Sequence, residues 1–263
     1  MKKRRADVKT IAGVILAVIL IGSMVYSAVC LALAPQASTD GSVRLRSDYL
    51  LMLTQCCLGL LVMFVPSMLQ KHWTWPIPDS MYILYFVFLY CAIYLGEVRN
   101  FYYLVPNWDT WLHTLSGGML GALGFVIVEQ LNQVQGVPVK LGPKFVCLFA
   151  LCFALTVGVL WEIYEFTFDS LLGMNMQKFR LEDGSELVGR AALRDTMKDL
   201  IVDFLGALAV VSVGYIGARK KARAEREAAR SVVDGSYADG SCADGSCADG
   251  SCADGEPEAQ PSK

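Results

Sequence analysis

One stretch of the sequence, residues 148–169, limits the folds open to this chain more than any other. It begins as a run of apolar or small residues and then places Glu162 and Glu165 one helical turn apart. A carboxylate at membrane depth costs about 2.5–3.5 kcal/mol on insertion scales, so two of them on one helix require compensation. Because residues i and i+3 are neighbours on a helix surface, both can point into one polar site. The alternative is that the membrane ends near Leu160 and that both glutamates are interfacial.

Apolar runs of similar length recur along the chain, which is 54% hydrophobic and only 18% charged. This composition is typical of a polytopic membrane protein and not of a soluble domain with one core. We therefore expect an all-α fold, a polytopic membrane helical bundle of about six transmembrane helices within residues 11–217. The spans are expected near residues 11–34, 49–69, 80–96, 109–131, 148–169 and 199–217.

The basic residues indicate how the bundle is oriented. Residues 1–10, the loops after spans two and four, and residues 219–230 together hold fourteen Lys and Arg, against eight in the three opposite loops. The positive-inside rule therefore predicts cytoplasmic N- and C-termini. The first apolar run is longer than the 7–15-residue core of a signal peptide, so we expect it to be retained as a span. Cleavage after the small residues 32–38 stays open as an alternative.

Residues 218–263 are expected to form a cytoplasmic tail. Residues 236–255 consist of SYADG followed by three copies of SCADG. Small, polar, glycine-rich repeats cannot bury enough apolar surface to fold, so the pattern predicts a disordered tail. The repeat cysteines can bind a soft metal or form disulfides, but repeat expansion without a function is the simpler interpretation. The other six cysteines lie in apolar runs and are interpreted as packing residues.

Ionisable residues of the last three spans are predicted to gather at one end of the bundle. These spans alternate in direction, yet the acidic and histidine residues all fall in the outer third of the membrane. Residues spaced by four share a helix face, which groups the members further. The set comprises Asp109, His113, Glu162, Glu165, Asp195, Asp199 and Asp203.

This set predicts a metal site. So many carboxylates at close quarters need protons or a cation to offset their repulsion, and carboxylates with histidine on facing helices are how helical bundles build metal sites. An oxygen-rich ligand set with one imidazole suits a divalent metal ion, namely Mn²⁺, Fe²⁺, Mg²⁺ or Zn²⁺. Glu165 or Asp199 is the expected general base. The expected metal ligands are Asp109, His113, Glu162, Asp195 and Asp203.

Simpler interpretations stay open for single members. Asp109 can be the N-cap of span four, His113 a packing histidine, and Asp195 a residue on a solvated turn. Asp203 is harder to explain in this way, because it lies inside the apolar stretch LIVDFLGALAVV.

Three motifs carry a resemblance to a known family. They are WDTWLHTLSGG at 108–118, WEIYE at 161–165 and DTMKDLIVDFLGA at 195–207. Their order resembles the YjdF-type family of bacterial inner-membrane proteins and, more loosely, VanZ-like membrane proteins. The resemblance implies a multi-pass protein of the bacterial cytoplasmic membrane and groups these residues, but it implies no reaction.

Three functions are consistent with the sequence. The first is a metal-dependent hydrolase or transferase that acts on a membrane lipid or lipid-linked substrate at the outer leaflet. The second is a cation or proton-coupled transporter, although transporter sites favour the midplane. The third is a structural or regulatory membrane component.

Two types of partner can also be judged from the sequence. The GxxxG motif of Gly117 and Gly121 permits close helix approach, either within the bundle or in a homo-oligomer. The basic segments adjoin spans and give no support for nucleic-acid binding.

Overall fold

The computed structural model describes residues 7–34, 44–73, 77–133, 141–181 and 184–239. Six helical segments within this part of the chain are long and apolar enough to cross a membrane, which confirms the predicted all-α, six-span fold. The elements are α1 (Val8–Leu33), α2 (Arg46–Val62), α3 (Val65–Trp73), α4 (Asp79–Leu89), a π-helix (Tyr90–Val98), α5 (Phe101–Leu104), α6 (Trp108–Gln133), α7 (Pro143–Leu172) and α8 (Arg190–Asp239).

The second and third spans are not continuous α-helices. The second changes from α2 to α3 at Met63 and Phe64, just before Pro66. Proline has no N–H to donate and its ring clashes with the carbonyl four residues earlier, which interrupts a helix. The third span passes from α4 into the π-helix, which ends with a hydrogen bond from Arg99 N–H to the Tyr94 carbonyl, five residues earlier. A hydropathy pattern reveals neither the break between α2 and α3 nor the π-helix, because each is a local change of backbone geometry within an apolar run.

The first three spans share an apolar core. Leu20 of α1, Cys56 of α2, Phe86 of α4 and Ile93 of the π-helix are all buried in it. Gly59 of α2 allows the close approach, because a Cβ at this position would collide with the Ile93 side chain. This core packs the first three spans against one another.

Helices α6 and α8 cross in close contact through glycine. A Cβ on Gly117 would collide with the Asp203 backbone, and a Cβ on Gly206 would collide with the Thr114 carbonyl. Gly121 lies against Ala207 in the same way. The GxxxG face therefore packs on α8 of its own chain, and an oligomer formed through Gly117 and Gly121 stays a prediction.

Helix α8 is longer at both ends than its apolar run. It begins at Arg190 instead of near residue 199, because Ala191, Ala192 and Leu193 favour helix although charges lie among them. It continues through an Ala-, Glu- and Arg-rich stretch, a composition that favours helix, to Asp239, and so includes the first four residues of the SYADG pentapeptide. The SCADG repeats after residue 239 lie outside the described residues.

Candidate functional site

His113 lies at the centre of the polar cluster and faces different partners with its two ring nitrogens. Nδ1 lies 3.2 Å from Asp203 Oδ2 on α8. Nε2 lies 3.7 Å from Asp109 Oδ1, one turn earlier on α6, and 4.0 Å from Glu162 Oε1 on α7. Only 8% of the histidine is exposed. A single buried imidazole thus connects the last three transmembrane helices.

Asp199 adds a further carboxylate to this group from α8. One ligand atom from each of Asp109, His113 and Asp199 lies within 4.8 Å of the others. Ligand atoms bind Zn²⁺ or Mg²⁺ at about 2.0–2.2 Å, so two ligands of one ion are at most about 4.4 Å apart. The 4.8 Å limit on the separation of these three atoms is close to that distance.

Glu162 has a buried carboxylate oxygen that lacks a hydrogen-bond partner among the described residues. The residue is 6% exposed, and its Oε1 is buried without a hydrogen-bond partner in the structure. A buried carboxylate oxygen without a partner is costly, because the water it has lost is not replaced. Since Oε1 points toward His113 Nε2, a cation between them would satisfy both atoms.

The Asp203 carboxylate occupies a position that its neighbours have shaped for it. Ser116 Oγ lies 2.9 Å from Asp203 Oδ1, opposite the contact of Oδ2 with His113. A Cβ on Gly158 of α7 would lie 2.9 Å from Oδ2, so a larger residue there would displace the carboxylate. Because Asp203 Oδ2 faces Nδ1, the other ring nitrogen, Nε2, faces Asp109 and Glu162.

The remaining two predicted residues lie beside this group. Glu165 is buried one turn after Glu162 on α7. Asp195 is half-buried one turn before Asp199 and forms part of the wall of a cleft with Glu162. All seven sequence-predicted residues therefore lie at one end of the bundle. Their division into ion ligands and bases remains a prediction.

A folded loop between α7 and α8 covers this end of the bundle. Gly173 ends α7 with a positive φ of 63°, a conformation that glycine adopts without a Cβ penalty. Asp169 then accepts hydrogen bonds from the backbone N–H groups of Met176 and Gln177, at 2.7 and 3.0 Å. Met174 is fully buried and packs with Leu51 of α2. The loop is thereby attached to α7 through Asp169 and to α2 through Leu51.

A buried ion pair attaches the same loop to the third span. Lys178 Nζ lies 2.6 Å from Glu97 Oε1, and the two side chains are only 13% and 12% exposed. Burial by itself lowers the pKa of the Lys178 ammonium, but the adjacent Glu97 carboxylate outweighs that effect, and the pKa is raised above its ordinary value. The Lys178 ammonium also lies 4.6 Å from the centre of the Tyr102 ring. The lysine is therefore held as a cation.

Sequence reasoning missed three of these contributors. Gln177 donates to Glu162 Oε2 at 3.4 Å, and neither it nor Lys178 belongs to an apolar pattern that would mark it. Gly158 lies among other small and apolar residues in the sequence, so nothing there indicates its contact with Asp203. One signal in the sequence was Glu97 at the end of the third span. An acidic residue there indicates a cationic partner, but the sequence does not identify that partner as Lys178.

A cleft of about 440 Å³ opens beside Glu162. Its polar members are Glu162, Gln177, Asp195 and Thr196, and the rest of its lining is apolar. The cleft lies between α7, the loop and the first turns of α8, next to the His113 group.

Comparison with known proteins gives two matches. The chain matches the family described as "Predicted membrane protein (DUF2238)" over residues 14–220, a range that includes every site residue described above. An "Uncharacterized protein" of Thermotoga maritima is 30% identical over 161 residues, which cover 60% of this chain and 72% of that protein. No solved structure matches the chain significantly.

Proposed function

The chain belongs to the DUF2238 family of membrane proteins, and we propose that it is a divalent-metal-dependent hydrolase or transferase of the bacterial cytoplasmic membrane. Its substrate is a membrane lipid or lipid-linked molecule. The single observation that carries this proposal is the convergence of Asp109, His113 and Asp199 within 4.8 Å, beside the unpartnered Oε1 of Glu162.

The cluster supports an ion more strongly than carboxylates alone would. Among the described residues, three buried side-chain polar atoms have no hydrogen-bond partner, and all three are on Glu162 or in the first turn of α6: Trp108 Nε1, Thr110 Oγ1 and Glu162 Oε1. Buried polar atoms in native proteins are nearly always paired, and exceptions call for an explanation such as an ion. The Trp108 indole N–H is a donor that a cation does not satisfy, so the Glu162 oxygen is the atom of the three that supports an ion. A cation next to Asp109 supplies a partner for the Glu162 carboxylate.

The donor set decides which ions fit. Asp109, Asp199 and Glu162 offer hard oxygen ligands, and His113 Nε2 offers one imidazole nitrogen. This combination suits Mn²⁺, Fe²⁺, Mg²⁺ or Zn²⁺ and disfavours copper. Asp203 has a different role in the proposal, because a carboxylate on the other nitrogen of a ligating histidine fixes its tautomer and orientation.

The chemistry follows from the neighbours of the proposed ligands. A bound divalent ion supplies a Lewis acid that polarises an ester or phosphoryl oxygen and lowers the pKa of a bound water. Glu165 lies one turn from Glu162, where it can serve as the general base. Asp195, at the wall of the cleft, is in position to orient the substrate or to complete the ligand set.

The test is the metal content of the purified protein in detergent, measured by elemental mass spectrometry after mild chelation and re-dialysis. We expect about one equivalent of a divalent metal in the wild type, and none in a His113→Ala/Glu162→Ala double variant. Asp79→Asn is the matched control, because it removes an acid whose side chain is 61% exposed and which pairs with Lys9, away from the His113 group. It should retain the metal.

The result also decides what to assay next. Stoichiometric metal in the wild type and control directs work to lipid hydrolysis, compared between chelated and reloaded protein. A metal-free wild type that has been re-dialysed against each of the four ions contradicts the proposal, and proton-coupled transport then becomes the leading function for these carboxylates.

A further inference from the structure

The cleft beside Glu162 has apolar walls that continue onto the outer surface of the bundle. Val159, Ile163 and Phe166 of α7 line it and are 43%, 54% and 62% exposed, and Leu193 of α8 is 61% exposed. Both helices are membrane spans. If the membrane covers this part of the two helices, the mouth of the cleft opens sideways toward the bilayer.

The inner end of the cleft is polar and leads to the proposed ion site. Gln177 Nε2 lies 3.4 Å from Glu162 Oε2 and 3.2 Å from Thr196 Oγ1, which joins the loop, α7 and α8 into one polar wall. The other oxygen of Glu162 points toward His113. An amphiphile whose polar part lay against this wall would therefore be in contact with Glu162.

The size and the charge of the cleft restrict its occupant. A volume of about 440 Å³ holds about fifteen groups the size of a water molecule, each about 30 Å³, which is comparable to a long stretch of hydrocarbon chain. Carboxylates at the inner end would repel a bare phosphate, whereas an uncharged ester linkage can lie beside them.

We propose that this cleft admits one acyl chain of an ester-linked glycerophospholipid laterally from the bilayer and holds its ester group beside Glu162 and Gln177. The inference rests on the proposed function and names the substrate class of that same site. The chain packs against Ile163 and Phe166, while the phosphate stays outside the cleft at the level of the lipid headgroups.

The test uses a phosphatidylethanolamine that carries a diazirine on one acyl chain. The full-length protein in detergent, stripped of loosely held lipid, is irradiated with one equivalent of this probe, and the labelled peptides are mapped by mass spectrometry. We expect labelling to concentrate in residues 159–166 and 192–200, the two segments that line the cleft.

Blocking the cleft should remove this labelling. Ala192 lines the cleft, and Ala192→Trp should lower the labelling yield about tenfold. A tenfold change in affinity corresponds to about 1.4 kcal/mol, which is the loss expected when about two methylenes, each contributing about 0.8 kcal/mol, can no longer be buried. Val213→Trp is the matched control on the same helix, at a position that is 71% exposed and outside the cleft, and it should leave the yield unchanged. If Ala192→Trp does not fold, Leu193→Trp blocks the mouth at an exposed position.

Labelling spread over the whole apolar surface, and equal in Ala192→Trp, would overturn the inference. Metal content measured on the same samples separates the two proposals. Wild-type protein that binds metal without localised labelling contradicts the lipid cleft only. Localised labelling in protein that binds no metal supports the cleft and contradicts the metalloenzyme.

Discussion

His113 Nδ1 lies 3.2 Å from Asp203 Oδ2, and this contact joins α6 to α8 at the level where Gly117 lets the two backbones meet. In the proposed metal-bound state Nδ1 donates to this carboxylate, which leaves Nε2, the nitrogen that faces Asp109 and Glu162, to bind the ion. A carboxylate that fixes a histidine in this way raises the basicity of the ligating nitrogen. The contact is therefore the structural element on which the proposed site most depends.

Replacing Asp203 by asparagine tests that dependence. Asp203→Asn keeps the shape of the side chain but removes its charge, and the loss of such an outer partner typically lowers metal affinity about 10- to 100-fold. We expect this loss in a competition titration against a chromophoric chelator. Asp79→Asn, which makes the same charge change at an exposed position, should bind metal as the wild type does. Equal affinity in all three proteins would assign Asp203 to helix packing alone.

Gly158 should tolerate no side chain, because an added Cβ would lie 2.9 Å from Asp203 Oδ2. Gly158→Ala is expected to destabilise the protein by about 1–3 kcal/mol, the usual cost of overpacking, and to weaken metal binding by displacing the carboxylate. Gly22→Ala is the matched control, since nothing lies within 4 Å of a Cβ there and alanine favours helix. Thermal unfolding in detergent measures both. A Gly158→Ala protein as stable as Gly22→Ala would contradict the close packing.

The Lys178–Glu97 pair should hold the loop that covers the site. Lys178→Gln leaves a buried carboxylate unpaired, which costs about 3–5 kcal/mol in comparable cases. We expect faster proteolysis within residues 173–189, together with lower stability toward denaturant. The double variant Lys178→Gln/Glu97→Gln should recover part of the loss, because neither charge is then left alone. If both variants resist proteolysis like the wild type, the loop is held by Met174 and Asp169 instead.

The same pair predicts a dependence on alkaline pH. The pKa of Lys178 is raised above its ordinary value of 10.5, since the effect of Glu97 outweighs that of burial. The stabilisation is therefore fully present below pH 10.5 and is lost as the pH rises through the higher pKa of the folded state. Unfolding measured on either side of this range should show a loss in the wild type that Lys178→Gln does not show. A parallel decline in both proteins would contradict this assignment.

The orientation of the bundle gives a prediction that does not depend on the metal. The basic residues predict cytoplasmic termini, which places the α7–α8 loop outside. Alkaline phosphatase inserted after Gly184, in the exposed part of that loop, should be active, and the same enzyme fused after Lys263 should be inactive. The reverse pattern would place the His113 group at the cytoplasmic leaflet.

Much of the fold could be predicted from the sequence because hydropathy acts over whole spans. The six runs and the sharing of one end by Asp109, Glu162 and Asp199 follow from span length and alternation alone. The family match confirms the YjdF-type resemblance drawn from the motifs around His113 and Glu162. Patterns that repeat over twenty residues average out local irregularities, so they are reliable for the existence and the order of the membrane spans.

The parts that sequence could not supply depend on individual backbone contacts. The loop that brings Gln177 to Glu162 is shaped by Gly173, by the positive φ of Lys178 and by hydrogen bonds to Asp169, none of which has a periodic signature. The two ring nitrogens of His113 have different partners, and which partner each has depends on which nitrogen Asp203 approaches. The spacing in the sequence does not distinguish Asp199 from Asp203 in this respect.

The most direct measurement of the central claim is X-ray absorption at the zinc edge of Zn²⁺-loaded protein in detergent. The account predicts oxygen and nitrogen ligands at about 2.0–2.2 Å with the scattering signature of one imidazole. That signature should be absent in His113→Ala and retained in Asp79→Asn. A spectrum without imidazole in the wild type, or with sulfur ligands, would contradict a metal site formed by His113 and its neighbouring carboxylates.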